Sequence, residues 1–147
     1  MDTPITISTD PADIDLDWLV AALSDRAYWS LGRGRDVVER SLDHSLVYGA
    51  YAGTGADPRQ VGFARVVTDQ ATFAWICDVF VDESARGLGV GKLLMAAIVG
   101  DPRLAGLKRL LLATNDAHGL YAQFGFAPLE RPEQWMARAG EPATPGD

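Results

Sequence analysis

The sequence has few of the groups that build disulfides, metal sites or membrane spans. A single cysteine, Cys77, excludes an intramolecular disulfide, and no Cys/His cluster has metal-ligand spacing, so we expect no metal. No run of about 18 apolar residues is present. The first residues show no basic stretch followed by an apolar one, as a signal peptide would. We therefore expect a cytoplasmic protein with no membrane partner.

Positive charge is also scarce. The 13 Lys and Arg residues against 20 Asp and Glu residues give a formal net charge of −7. Nucleic-acid binders concentrate positive charge, because phosphate contacts supply much of their affinity, so no nucleic-acid partner is expected. The length of 147 residues, 48% of them hydrophobic, fits one domain with its own core. We assign residues 1–138 to that domain and the polar, Pro/Gly-rich residues 139–147 to a flexible tail.

Hydrophobic periodicity predicts an α+β (mixed α/β) fold with about four helices. The helices are expected after Asp13 or Asp15, over 36–43, after the glycine-rich segment 86–91, and after a capping Asp116, with Gly125 ending the last one. Strands are expected at 4–8, 45–52, 60–68, 72–81, 109–114 and 126–129, with 134–138 as a seventh, and residues 53–58 form a hairpin turn. The central sheet of six to seven strands is then antiparallel first and locally parallel in the middle, where a helix connects two strands.

Three alternating glycines lie between the buried strand 72–81 and the next helix, in the segment Arg86-Gly-Leu-Gly-Val-Gly91. A helix N-terminus attracts anions, glycines let the backbone approach a ligand, and Arg86 adds a guanidinium suited to phosphate. The spacing fits neither a P-loop nor the dinucleotide-binding fingerprint. The segment predicts a pyrophosphate-binding loop; the alternative is that the glycines only allow tight packing of strand on helix.

This loop resembles the cofactor loop of the GCN5-related N-acetyltransferase (GNAT) family, which reads Gln/Arg-x-x-Gly-x-Gly/Ala. Leu120-Tyr121 followed by Gly125-Phe126 resembles a second family signature, and the resemblance covers roughly residues 72–129. It implies a GNAT-like fold and an N-acetyltransferase that uses acetyl-CoA as co-substrate. The primary amine of a small molecule or peptide would attack the thioester directly in a ternary complex. A non-catalytic acyl-CoA sensor or an interaction module on the same fold is the alternative.

The resemblance also implies which residues hold the cofactor. Backbone groups of the central strand would pair with the pantetheine arm where strands 72–81 and 109–114 separate, and loop amides would hold the pyrophosphate. The family often has Asn where this chain has Thr114, so either Thr114 or its neighbour Asn115 takes that contact. The implied cofactor-binding residues are Phe80, Val81, Arg86, Gly87, Leu88, Gly89, Val90, Gly91, Lys92, Thr114 and Asn115.

Four residues are candidates for catalysis. By its place in the motif, Tyr121 is implied as the acid that serves the departing thiolate. Asp78 lies within an apolar strand, where an unpaired carboxylate is costly. It is either a general base with a pKa raised by burial, or the partner of Arg65 in an ion pair. Glu83 and His118 are the other candidate bases, although either could be an ordinary solvated side chain.

A polar loop with Tyr28, Trp29 and Arg33 follows the first helix. In the family this region covers the acceptor, so the aromatic side chains could form a cage for a cationic amine. The alternative is an exposed loop with one anchoring Trp. The identity of the amine, the choice between acetyl and a longer acyl group, and the choice between a monomer and a homodimer formed near Trp135 all stay open.

Overall fold

A five-stranded mixed sheet forms the centre of the computed structural model, which describes residues 3–53 and 58–140. The strands are β1 Ile5–Ser8, β2 Leu46–Ala52, β3 Arg59–Thr68, β4 Phe73–Val81 and β5 Arg109–Leu111. They lie side by side in sequence order. The pairs from β1 to β4 are antiparallel and β4 pairs with β5 in parallel, which confirms the predicted α+β architecture.

In the part of the chain that the structure describes, four α-helices cover the two faces of the sheet: α1 Leu16–Ala21, α2 Arg35–Asp43, α3 Val90–Val99 and α4 His118–Ala122. The side chain of Asp15 caps α1 by accepting from the Trp18 N–H at 3.1 Å, and α1 continues into a π-helical turn. Helices α1 and α2 enclose one apolar cluster with the sheet, and α3 encloses the other. No helix in the described ranges is long and apolar enough to cross a bilayer.

A bulge in β4 changes which face of the sheet its side chains meet. Asp78 has a left-handed backbone with φ of +53°, and the register with β3 shifts at this point. Before the bulge, Ala74 and Ile76 pack in the α3 cluster; after it, Phe80 packs in the α1–α2 cluster. One extra residue has therefore reversed the alternation of the strand. The bulge lies where β4 leaves β5.

The two strands predicted near the C-terminus do not form, so the described sheet has five strands rather than six to seven. Residues 126–129 have no regular structure, and the segment expected to pair at 134–138 follows a 3-10 turn at Pro132–Gln134. Pro128 lacks the N–H donor that a sheet ladder needs, and the N–H groups of Gln134 and Trp135 donate to the carbonyls of Arg131 and Pro132 at 3.0 and 3.1 Å within the turn, which gives the physical reason. The predicted hairpin residues 54–57 and tail residues 141–147 lie outside the described ranges.

Helix α4 begins with a different cap from the one predicted. The Thr114 hydroxyl oxygen accepts from the N–H groups of Asp116, at 3.4 Å, and Ala117, at 3.1 Å. Thr114 therefore satisfies the helix start, and the capping role expected for Asp116 was wrong. The predicted end of the helix is confirmed, because Gly125 has a φ of +88° and occupies the left-handed position after the last turn.

Candidate functional site

Strands β4 and β5 separate soon after they pair. Their pairing runs from Phe73 opposite Arg109 to Trp75 opposite Leu111, after which β4 continues to Val81 paired with β3 and no longer with β5. A cavity of about 360 Å³ lies at this separation, lined on one side by 75–79 of β4 and on the other by 112–114. The expected opening between the two central strands is present, although β5 ends at Leu111 rather than at residue 114.

The backbone of β4 presents unpaired edge groups along this opening. The Asp82 N–H donates to the carbonyl of Val61 in β3 at 2.8 Å. Because successive backbone groups point to opposite edges of a strand, Val79 and Val81 direct theirs to the open edge, and Phe80 directs its own toward β3. The geometry therefore corrects the expectation for Phe80, favouring Val79 with Val81 as the residues that can pair with an extended ligand.

The glycine-rich loop forms an open cradle before α3. Gly87 and Gly89 have φ values of +85° and +77°, and an added Cβ at either would meet no atom within 4 Å. Gly91 differs, because its Cβ would lie 3.2 Å from Leu120 Cδ2 in α4. The packing explanation thus applies to Gly91, whereas Gly87 and Gly89 leave free space in front of the backbone.

Donor groups converge on this cradle. The first bond within α3 joins the Leu93 N–H to the Gly89 carbonyl at 3.1 Å, so the N–H groups of residues 90–92 point out of the helix start. No side chain caps the helix, and its first turn carries no acidic residue. Arg86, Leu88 and Lys92 are exposed beside it. These groups suit a phosphate-bearing cofactor, as the predicted role requires.

A methyl group at Gly89 should block ligand approach, because it would project into the open cradle. We expect Gly89→Ala to lower the free energy of unfolding by about 1–2 kcal/mol through backbone strain and to weaken acetyl-CoA binding at least tenfold. Gly106→Ala is the matched control, since Gly106 has a φ of +81° and open surroundings and precedes β5, whereas the glycine loop follows β4, at the other end of these parallel strands. Calorimetric titration with acetyl-CoA should separate the variants; equal affinities would assign the loop a purely structural role.

Asp78 is the centre of a buried polar cluster at the bulge. Its Oδ1 accepts from Trp29 Nε1 at 2.8 Å, and its Oδ2 accepts from Arg33 and from Arg65 Nε, each at 2.7 Å. The Asp78 side chain is only 2% exposed. Burial, the largest influence, raises the pKa of Asp78, but the hydrogen bonds and charges of the two guanidinium groups outweigh it, so the pKa is lowered.

This arrangement corrects the raised pKa expected for Asp78. The ion pair with Arg65, considered above as the alternative, is present and is joined by a second one with Arg33. A carboxylate held ionised by two cations accepts a proton from a substrate poorly. The contacts of Asp78 instead suit it to fix the loop that carries Trp29 and Arg33.

The other two candidate bases lie apart from this cluster. Glu83 is exposed in a short 3-10 turn at Glu83–Ala85 and does not line the cavity. His118 is the exposed first residue of α4 and lines a second cavity of about 360 Å³ beside residues 110–114 and Phe126. The structure thus brings neither Glu83 nor His118 into the cavity with Asp78.

Tyr121 lies at the wall shared by the two cavities. It is 8% exposed, and its ring meets that of Phe126 edge-on at 6.3 Å. Burial, then the nearby Tyr28 and Asp116, raise the pKa of Tyr121, so its hydroxyl stays protonated near neutral pH. Within the described ranges no residue hydrogen-bonds to this hydroxyl, which leaves it free to donate to a ligand.

The predicted acceptor loop reaches the same cavity. Tyr28 and Trp29 contact each other edge-to-face at 5.0 Å, and the Tyr28 hydroxyl accepts from the Asn115 N–H at 3.3 Å. The cavity therefore brings together six of the predicted site residues: Tyr28, Trp29, Arg33, Asp78, Thr114 and Tyr121.

Sequence reasoning missed some residues of this site. Val79 could have been found only from the strand alternation after the bulge, which no local sequence signal marks. Asp116, predicted as a helix cap, is an exposed residue of the cavity lining, and Arg65 is a lining residue as well as the ion-pair partner.

The model of the acetyltransferase (GNAT) domain matches residues 43–128, which include β2 to β5, the glycine loop and α4. The chain belongs to the GNAT family. A Gibberella zeae protein assigned by name to the acetyltransferases is 32% identical to this chain over 136 residues. The match covers 80% of this chain and 75% of that protein. Both sequence motifs predicted this family, so that prediction is confirmed.

Two further proteins are similar to this chain. Chloroplastic serotonin N-acetyltransferase 2 of Oryza sativa subsp. japonica is 34% identical over 97 residues, which are 65% of this chain and 48% of the rice protein. The crystal structure of a protein from Xanthomonas campestris pv. campestris, assigned to the GNAT acetyltransferases, superimposes with a TM-score of 0.87. It is 42% identical and the match covers 95% of this chain and 96% of that one.

Proposed function

We propose that this GNAT protein transfers an acetyl group from acetyl-CoA to a primary amine of a small molecule or peptide. One observation carries the proposal: the cavity between β4 and β5 is lined both by Tyr121 and by the predicted acceptor loop. The cavity lies toward the end of β4 that leads into α3. Donor and acceptor can thus meet beside a buried hydroxyl. Membership of an acetyltransferase family supports the same reaction class.

The cofactor contacts follow from the chain's own groups. The open N–H groups of residues 90–92 and the exposed Arg86 would hold the pyrophosphate, and the edge groups of Val79 and Val81 would pair with the pantetheine arm. When bound, acetyl-CoA supplies the electrophilic thioester. Donors fixed at the strand edge can stabilise negative charge that develops on the thioester oxygen. Thr114 can still donate its hydroxyl proton, because its oxygen acts as the acceptor in the α4 cap.

Direct attack in a ternary complex fits the cavity better than a covalent acetyl-enzyme. Cys77 is the nucleophile that such an intermediate would need, and it lines the cavity. Burial, the largest influence, and the nearby Asp78 raise the pKa of Cys77 to about 11. The charges of Arg65 and Arg33 lower this pKa, but they offset the rise only in part. At neutral pH Cys77 is therefore a thiol with little thiolate, which is a weak nucleophile. The amine would react as its free base: as its nitrogen bonds to the acetyl carbon and the carbon–sulfur bond breaks, Tyr121 would donate its hydroxyl proton to the leaving sulfur. The proton lost from the amine nitrogen would then return to the Tyr121 oxygen, directly or through water.

Acetyl-CoA should raise the melting temperature of the protein. At a concentration of about 100 times its Kd, a ligand that binds only the folded state adds about 2.7 kcal/mol to the free energy of unfolding. Differential scanning fluorimetry with acetyl-CoA, against pantetheine alone as the control that lacks the pyrophosphate, measures this. An unchanged melting temperature at millimolar acetyl-CoA would contradict both an enzyme and a sensor.

Amine-dependent thiol release separates those two functions. Stabilisation by acetyl-CoA, with no amine causing thiol release from it, would indicate an acyl-CoA sensor on the GNAT fold. Stabilisation with thiol release that depends on an amine supports the proposed reaction.

A further inference from the structure

We propose that the acceptor carries a carboxylate close to its reactive amine, so that the substrate is a small amino acid rather than a simple cationic amine. The inference rests on the proposed function, since it concerns the acceptor part of the same cavity. It departs from the aromatic cage expected for a cationic amine. Three features of the cavity wall carry it: surplus positive charge, unused donors, and an acidic residue on the opposite wall.

The inner wall has more positive charge than the buried carboxylate neutralises. Arg33 and Arg65 both pair with one oxygen of Asp78, so the three side chains together hold one surplus positive charge. Arg33 and Arg65 are 21% and 16% exposed, so both keep a surface that a ligand in the cavity can reach. A second anion would balance this charge, whereas an ammonium group placed there would be repelled.

The two arginines also have donors to spare. Arg33 uses Nη1 toward Asp78, and Arg65 uses Nε toward Asp78 and Nη1 toward Ser45. Each guanidinium has five N–H donors in a planar fork, so several remain. Arginine is suited to carboxylates because its paired donors match the two oxygens. Asp78 restrains both side chains, which lowers the entropic cost of binding a second carboxylate.

The opposite wall of the cavity carries a negative charge. Asp116 comes from the segment between β5 and α4, lines the same cavity, and forms no ion pair with any described residue. It lies near enough to Tyr121 to raise the pKa of that hydroxyl. Because β4 lies between β3 and β5, Arg65 on β3 and Asp116 after β5 approach the opening from opposite sides. An amino acid fits this polarity, with its amine toward Tyr121 and its carboxylate toward Arg33.

In this inference the aromatic residues of the loop do not serve as a cage for a cation. Trp29 donates its indole N–H to Asp78, and its ring contacts Tyr28 edge-to-face. A cation–π site requires a ligand cation over a free ring face, but the surplus charge of the nearby arginines opposes one here. Tyr28 and Trp29 instead supply an apolar wall for the carbon skeleton of the acceptor.

The test compares amino acids with their own carboxamides, for example glycine with glycinamide and β-alanine with its amide. Initial rates of thiol release from acetyl-CoA give kcat/KM for each amine. We expect the carboxylate form to be favoured at least tenfold, as a charge-assisted contact predicts. The carboxamide lowers the pKa of the neighbouring ammonium and leaves more free amine, so intrinsic reactivity works against this result.

The Arg33→Gln variant tests whether Arg33 binds the carboxylate. It should reduce the preference for the amino acid over its carboxamide at least tenfold by raising the KM of the amino acid, and it should leave the KM of acetyl-CoA unchanged. Arg33→Lys should retain part of the preference. Arg40→Gln, which removes the same charge from the exposed face of α2 outside the cavity, should retain all of it.

Each outcome decides between the claims. Equal or better use of the carboxamides by the wild-type protein would overturn the inference and leave the proposed function standing, and it needs no variant to fold. The inference would also be overturned if Arg33→Gln lowers kcat/KM equally for both members of a pair. If amino acids and their carboxamides both fail to cause thiol release while another primary amine causes it, the inference is overturned and the proposed function stands. If no amine of any class causes thiol release from acetyl-CoA, the proposed function is contradicted, and the inference with it.

Discussion

We expect Asp78→Asn to lower the free energy of unfolding by about 3 kcal/mol, because it leaves two partly buried guanidinium groups without their counter-charge. Asn is the informative replacement, since it tolerates the left-handed backbone that Asp78 adopts, with φ of +53°. The variant therefore removes the charge with little added backbone strain. Urea denaturation of wild-type protein and variant measures the difference.

Two controls identify the source of this loss. Asp36→Asn removes an exposed carboxylate from the first turn of α2 and should change stability by less than about 1 kcal/mol. Arg65→Gln removes one partner from the other side of the cluster and should also be destabilising. Coupling between the Asp78 and Arg65 substitutions in a double-mutant cycle should exceed about 0.5 kcal/mol. Strict additivity would show that the ion pair contributes nothing.

The pH dependence has a definite sign. The pKa of Asp78 is lower in the folded protein than in the unfolded chain, where a carboxyl of this type titrates near about 3.9. Its contribution is therefore fully present above that value and is lost as the pH falls through the folded pKa. Wild-type protein should lose stability more steeply than Asp78→Asn below about pH 4. Parallel curves would contradict the lowered pKa.

Tyr121→Phe should reduce kcat about tenfold or more while folding and acetyl-CoA binding stay near normal. The departing thiolate has a reference pKa of about 8.5 and a phenol one of about 10, so complete proton transfer is uphill by roughly 1.5 units. Burial raises the pKa of Tyr121 further, which makes complete transfer less favourable still. A hydrogen bond to the growing charge nevertheless lowers the barrier without full transfer.

Tyr51→Phe is the matched control for this substitution. Tyr51 is as buried as Tyr121, at 8% exposed, and its hydroxyl donates to the Asp13 carbonyl, away from the cavity. That variant should lose about 1 kcal/mol of stability and keep its kcat. With an acyl donor whose leaving thiol is more acidic, Tyr121→Phe should reduce kcat by a smaller factor, since that thiolate is more stable without a hydrogen bond. An unchanged kcat in Tyr121→Phe, with chemistry shown to be rate-limiting, would assign the residue to the core alone.

Local patterns predicted much of the fold. The periodicity of α3, the apolar run of β4 and the glycine at the end of α4 each act over a few residues, and the structure bears them out. The bulge at Asp78 could not be predicted in this way, because its left-handed residue is stabilised by Trp29, Arg33 and Arg65 from other elements. The pKa of Asp78 follows from the same distant contacts.

The prediction of two C-terminal strands was wrong for a related reason. The apolar spacing around Phe126 favours a strand, but Pro128 removes a ladder donor, and the Phe126 N–H is already bonded to the Tyr121 carbonyl at 3.3 Å. The composition of the glycine loop predicted an anion site, and the open cradle at Gly87 and Gly89 has the shape that this role needs. The positive charge beside the predicted acceptor loop could not be predicted from the sequence, because it depends on Arg33 and Arg65 meeting at Asp78 from different elements.

The most direct test of the central claim is to follow a labelled acetyl group. Wild-type protein is incubated with acetyl-CoA labelled in its acetyl carbons and with amino acids, polyamines, aminoglycosides or peptides with free N-termini. Mass spectrometry then measures the masses of the products and of the protein. The account predicts labelled N-acetyl product, one CoA thiol released for each molecule formed, and no label on Cys77. Bound acetyl-CoA with no labelled amine from any class, or label retained on the protein, would contradict it.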